Sequence, residues 1–105
     1  MIVYYAPKAF DDLQNVKLSV IEAFYDAKLA DEVIKDISAS IRKLEIFPYA
    51  GPELEIGGST KNGYRYLFCR KNYVFYRVEG EYVHIVRVLN EKQEFIRILY
   101  GITEE

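Results

Sequence analysis

The chain has 105 residues, a single cysteine and a formal net charge of −2. That length suits one domain, one thiol excludes an internal disulfide and a four-thiolate metal site, and the slight acidity argues against a broad, nonspecific grip on nucleic acid. Half of the residues are apolar, so a packed core is expected rather than disorder, and no apolar run approaches the roughly 20 residues of a membrane span.

Met1 leads directly into patterned sequence rather than into a signal peptide, so cytoplasmic residence is the expectation. Ile2, Val3, Tyr4 and Tyr5 form a short β-prone run that Pro7 must end. Pro7 suits the first position of a helix, where an amide hydrogen would have no helical partner. Phe10, Leu13, Val20 (or Ile21) and Phe24 recur at helical spacing, so residues 8–24 read as the first helix. Lys17 interrupts that stripe. A second helix is clearer. Leu29, Val33, Ile37, Ile41, Leu44 and Phe47 step by four or three residues, with Asp31, Glu32, Lys35, Asp36, Arg42 and Lys43 on the wet side. Asp26 stands where an N-cap would, and Pro48 stops the pattern. The short join makes the pair an antiparallel hairpin, whose apolar faces need a sheet to cover them.

Residues 48–63 hold two of the three prolines and four of the six glycines, and read as a long loop with a short extended stretch at 53–56. A meander follows. Residues 64–69 are a strand, 70–72 a turn, 73–78 a second strand, Glu79-Gly80 a two-residue hairpin turn and 82–89 a third strand. Residues 90–94 are polar with room for one helical turn, and 95–100 return as a final strand ended by Gly101. Charge divides unevenly. Residues 1–60 carry six basic and ten acidic side chains and residues 61–105 eight and six, so an anionic partner is better received by the second half.

Several segments match a known pattern in order and spacing: Tyr5-Ala6-Pro7-Lys8-Ala9-Phe10-Asp11-Asp12-Leu13, Leu44-Glu45-Ile46-Phe47-Pro48-Tyr49-Ala50-Gly51, Gly63-Tyr64-Arg65, Tyr73-Val74-Phe75-Tyr76-Arg77-Val78 and Ile85-Val86-Arg87-Val88-Leu89. Together they resemble the RelE/ParE superfamily of toxins from type II toxin–antitoxin systems, the plasmid stabilisation proteins. The resemblance implies one α+β domain over residues 1–105, with the N-terminal helical hairpin packed on a curved, mostly antiparallel sheet. It implies a cognate antitoxin whose C-terminal segment wraps the toxin and covers its working face. It also implies one of two activities. Some members cut ribosome-bound messenger RNA without metal or cofactor; others inhibit DNA gyrase without cutting RNA. A degenerate toxin that only binds an antitoxin is a third reading, and a homo-oligomer is left open.

RNA cleavage through the 2′-hydroxyl needs a proton acceptor, cations on the phosphoryl oxygens and a donor for the leaving oxygen. Arginine suits the phosphate because its fork bonds two oxygens at once. Arg65 matches the arginine of the family's tyrosine–arginine strand; Arg77 and Arg87 lie on neighbouring expected strands, and the three are the candidate catalytic residues. Each has an alternative as a surface or ion-paired arginine, and whether they share a face depends on register. Lys92 and Tyr100 are candidate substrate-binding residues, from their place in the segment where relatives carry cations and a tyrosine. Asn90 stands where many relatives have histidine, and asparagine cannot trade protons near neutral pH. Gln93 replaces an arginine, and Glu91 and Glu94 would repel a phosphate backbone. These departures weaken the nuclease reading more than the gyrase one. His84, between Val83 and Ile85, reads as a partly buried structural histidine. One histidine and one cysteine show no metal-ligand spacing, so no metal is expected. The ten tyrosines are ordinary strand residues before they are a stacking platform.

Overall fold

The computed structural model describes residues 1–101. Strand β1 (Ile2–Tyr5) runs into helix α1 (Pro7–Phe24), with Pro7 at the first turn as its missing N–H allows. Tyr25, left-handed at φ 53°, ends α1 by donating its N–H to the Ile21 carbonyl. Asp26 then caps α2 (Ala27–Arg42), its carboxylate accepting the Leu29 N–H at 2.9 Å. A 3₁₀ turn over Lys43–Glu45 precedes the long loop.

Strands β2 (Arg65–Cys69), β3 (Asn72–Glu79) and β4 (Tyr82–Asn90) form the expected antiparallel meander. The sheet order is β1-β4-β3-β2, with β1 parallel to β4 through Tyr5↔Ile85. The β3–β4 turn is one residue later than its sequence suggests. Glu79 pairs with Tyr82, so the loop is Gly80-Glu81, and Gly80 takes the positive φ of 59° that its first position needs.

The helix pair lies on one face of the sheet. Val33, Ile37, Ile41 and Leu44 meet Val74, Tyr76, Val83, Ile85 and Val88 in the main core. The α2 stripe is therefore buried up to Leu44, whereas Phe47 is exposed because the helix has already ended. On α1 the inward positions are Ala9 and Asp12, and the large Phe10 and Phe24 face outward. The expected α1 stripe therefore holds at Leu13 and Val20, which pack partly buried against the core, and fails at its two phenylalanines.

Residues 95–100 do not form a strand. Phe95–Leu99 is a short helix, α3, because β4 already has β3 and β1 on its two sides and offers no free edge. Phe95, Ile98 and Leu99, at helical spacing, instead pack on the second face of the sheet beside Leu54, Tyr64, Phe75 and Leu89. Short apolar runs carry too little periodicity to separate the two outcomes. Among the described residues no helix is long and apolar enough to cross a membrane.

Candidate functional site

Arg87 reaches the helix side of the sheet through an irregularity. It pairs with Phe75 while Ile85 pairs with Tyr76, so Val86 is an extra residue in β4. Such a bulge re-aims the side chains beside it. The Arg87 Nε and Nη2 donate to the two carboxylate oxygens of Asp12 at 2.7 and 2.8 Å. The Val88 N–H donates to the same carboxylate at 2.9 Å. Asp12 is buried, and its hydrogen bonds to Arg87 raise the arginine's pKa further, so the guanidinium stays charged. Both groups are committed to each other.

Arg65 lies opposite Tyr76 and so shares the helix face at the far side of the sheet. Its Nη1 donates to the Gly51 carbonyl at 2.8 Å, its Nη2 sits 3.3 Å from Glu53, and its guanidinium lies 4.9 Å from the Tyr49 ring centroid. The Gly51 N–H donates to the buried Tyr76 hydroxyl at 2.9 Å. Burial pushes the Tyr76 pKa up against the opposing pull of the Gly51 N–H and Arg65. Arg65 and Tyr76 together pin the start of the long loop to the sheet.

Arg77 points the other way. Its guanidinium lies over the Tyr64 ring at 4.1 Å, and Nη2 donates to the Asn62 carbonyl at 3.3 Å. Its buried Nε makes no hydrogen bond. His84 is its cross-strand neighbour on that same outer face, edge-on to Tyr4 and 3.8 Å from Glu79. The three arginines therefore occupy three separate places rather than one patch.

Lys92 is exposed in the turn after β4, and Tyr100 is half exposed at the end of α3. The same turn explains the residues that depart from the family pattern. Asn90 accepts the Lys92 N–H at 3.0 Å, and Gln93 accepts the Asn90 N–H at 2.8 Å, so these two side chains shape the turn locally.

Between the helix pair and the ends of the meander lies a groove of about 800 Å³. Val16, Val20, Ala23 and Phe24 of α1, Leu29 and Val33 of α2, and Val88 make its apolar surface; Arg70, Lys71 and Lys92 stand at its rim. Lys92 is the one candidate site residue directly on this groove, and Asp12 lines its inner end. Neither Asp12 nor Lys71 stands out in the sequence as a site residue. The available signal for Asp12 is its position three and four residues from Ala9 and Val16, where a carboxylate must find a buried partner. Among the described residues no group of three or more His, Cys, Asp or Glu is placed to hold a metal.

A family model described as the ParE toxin of the type II toxin–antitoxin system, parDE, matches residues 3–95. No curated protein sequence matches the chain. Among solved structures, the chain resembles the chromosomal ParDE toxin–antitoxin system from P. aeruginosa with TM-score 0.72 and 21% identity, covering 86% of this chain and 95% of that one. It also resembles a YoeB/ParE toxin from Agrobacterium tumefaciens with TM-score 0.58 and 18% identity, covering 86% and 98% of the two chains. At these identities the structural likeness speaks for the fold.

Proposed function

The chain belongs to the ParE toxin family of type II toxin–antitoxin systems, and on that premise we propose that it arrests growth by binding a protein target, DNA gyrase, rather than by cutting RNA. It does so in the cytoplasm and is neutralised by a cognate antitoxin. The observation that carries this reading is the bidentate pair of Arg87 with the buried Asp12. That pair takes the Nε–Nη2 edge of the guanidinium and sets a buried carboxylate against its charge, so Arg87 draws a phosphate less than an unpaired arginine would. Arg65 is likewise tied to Gly51 and Glu53, and His84 stands on the sheet face away from both. Proton transfer and phosphate neutralisation would have to come from groups that the fold holds apart. Contacts with a protein need no such convergence.

One observation favours the nuclease reading. Arg77 stacks on Tyr64 with most of its donors uncommitted, as a phosphate-binding arginine beside a base-stacking ring would be.

The test pairs two measurements on the same expressed protein: supercoiling by purified gyrase with the chain added, and mapping of transcript 5′ ends in arrested cells. Inhibited supercoiling without new cuts inside translated codons is the expected result. New cuts with normal supercoiling would overturn the proposal in favour of ribosome-dependent cleavage. Arrest with neither would exclude both targets.

A further inference from the structure

The sheet ends on two edges, β2 and β1. The start of β2 is covered by the chain's own long loop. Glu53 pairs with Arg65, the Leu54 N–H donates to the Tyr64 carbonyl at 2.9 Å, and the Tyr66 N–H donates to the Pro52 carbonyl at 3.2 Å. β1 has no such cover. The Ile2 and Ala6 N–H groups donate to the Glu81 and Ile85 carbonyls, both at 2.9 Å. Alternation along a parallel strand gives Tyr4 the same direction, so the N–H and C=O groups of Val3 and Tyr5 point away from β4. Among the described residues no hydrogen bond reaches them.

An open edge is a template for another strand, and edges that stay single are blunted by lysine, proline or a bulge. Ile2-Val3-Tyr4-Tyr5 carries none of these. Its flanks are apolar on both sides of the sheet. Ile2 and Tyr4, with Tyr82 beside Ile2, stand on the outer face, and Phe10, stacked on Tyr5 with ring centroids 5.1 Å apart, stands on the helix side. Ile2, Tyr4, Phe10 and Tyr82 are each about half exposed. Two copies of that set offer roughly 1,000 Å² of surface, the lower limit of a specific interface.

We infer that β1 is the two-fold interface of a homodimer, in which β1 of a second copy pairs antiparallel with it and the two sheets become one. The occupant follows from the symmetry of the edge. Val3 and Tyr5 lie one residue to either side of Tyr4. A copy turned about an axis through Tyr4 therefore sets Val3 against Tyr5 twice, each pair exchanging both of its N–H···O bonds. Tyr4 then faces Tyr4 of the second copy across the axis. The strand is uncharged, so a copy meets no like charge there. This dimer is independent of the toxin reading and leaves the groove between the helices and the meander untouched.

The experiment is sedimentation velocity of the purified full chain over a concentration series, with three variants. Wild type should pass from monomer to dimer. Tyr4→Lys, at an exposed position, sets two ammonium groups against each other on the axis and should weaken the dimer roughly tenfold or more, with an unchanged circular dichroism spectrum. Val3→Pro removes an N–H that bonds nothing within the chain and should weaken it likewise; if that variant does not fold, Tyr4→Lys decides alone. Tyr4→Cys should cross-link on mild oxidation, because an antiparallel pair of this kind brings its Cα atoms to about 4.5 Å, within disulfide reach. The linked peptide should carry residue 4 of both copies. A wild-type chain that stays monomeric throughout, or a dimer unchanged by Tyr4→Lys in a folded chain, would overturn the inference. So would a Tyr4→Cys chain that links only through Cys69 or not at all, since the copies then meet elsewhere. If the Val3 and Tyr5 amides gain exchange protection only when the protein encoded by the adjoining gene is added, the edge belongs to that protein and the inference falls.

Discussion

The Asp12 carboxylate accepts three hydrogen bonds at once, two from the Arg87 guanidinium at 2.7 and 2.8 Å and one from the Val88 N–H at 2.9 Å. It joins the first helix to the fourth strand across 75 residues of chain, at the bulge where that strand's ladder is interrupted. Removing the carboxylate leaves a half-buried guanidinium and a buried amide without partners. Breaking a buried ion pair from one side costs about 3–5 kcal/mol, against about 5–15 kcal/mol for a whole domain. Asp12→Ala is therefore expected to leave a barely stable or unfolded chain. Asp12→Asn, which keeps an acceptor for Val88, should lose less. Adding Arg87→Met to Asp12→Ala should recover part of the loss, but not the Val88 bond. Urea denaturation of the three variants checks the order, and a fully stable Asp12→Ala would refute it.

Gly51 has no room for a side chain. A Cβ there would fall inside the Tyr66 carbonyl oxygen and within 2.8 Å of the Tyr76 hydroxyl. The neighbours are backbone and a buried ring, neither of which can swing away. Gly51→Ala should cost roughly 1–3 kcal/mol through overpacking and should release the Gly51–Tyr76 bond that pins the loop. Hydrogen exchange would show this as faster exchange at Gly51 and Tyr66, whose N–H groups bond to Tyr76 and Pro52. A variant as stable and as protected as wild type would mean that the backbone shifts freely here.

The sequence made α2 and the three meander strands readable because each carries one dominant period, four and three for the helix and two for the strands. It was less informative where one residue type had two uses. Phe10, Phe24 and Phe47 are large and apolar yet exposed, while the small Ala9 and the charged Asp12 sit inside. Residues 95–100 could satisfy a strand or a helix, and only the filled edges of β4 decide. The candidate arginines were correctly placed on or beside strands. Their separation came from what no local pattern carries: the register of β2 against β3, which turns Arg65 toward the helices, and the extra Val86, which brings Arg87 to Asp12. The groove was illegible for the same reason, since it arises between elements distant in sequence.

Two tyrosines set an alkaline limit. Burial raises the pKa of Tyr76, and of Tyr5 beneath Phe10, above the ordinary value of 10.0. In the unfolded chain both ionise first, so the folded state binds more protons across that interval and stability must fall as pH rises. The loss begins near pH 10 and is complete only above the raised folded values; below pH 10 these groups contribute no slope. Thermal melts between pH 8 and pH 11 should show a falling melting temperature above about pH 10. Tyr5→Phe should shrink that fall, because a phenyl ring in the same contact cannot ionise. An identical alkaline slope in Tyr5→Phe would remove Tyr5 from the account.

Arg77 separates a residue kept for the fold from one kept for a target. Its stacking on Tyr64 is worth about 0.5–2 kcal/mol, while an unpaired buried donor such as its Nε costs about 1–3 kcal/mol. The two nearly cancel. Arg77→Met keeps the stem against the ring and removes the orphan donor, so its stability should stay within about 1 kcal/mol of wild type, or roughly 4–8 °C in melting temperature for a domain near this size. Growth arrest on expression is the second readout. Loss of arrest with the melting temperature held would place Arg77 in contact with the target, on the sheet face opposite the groove. Full arrest would leave the outer face of the sheet without a role in toxicity and turn attention to the surfaces around α1. A large drop in stability would instead show that the cation–ring contact outweighs the unpaired Nε, and Arg77 would then be a residue of the fold.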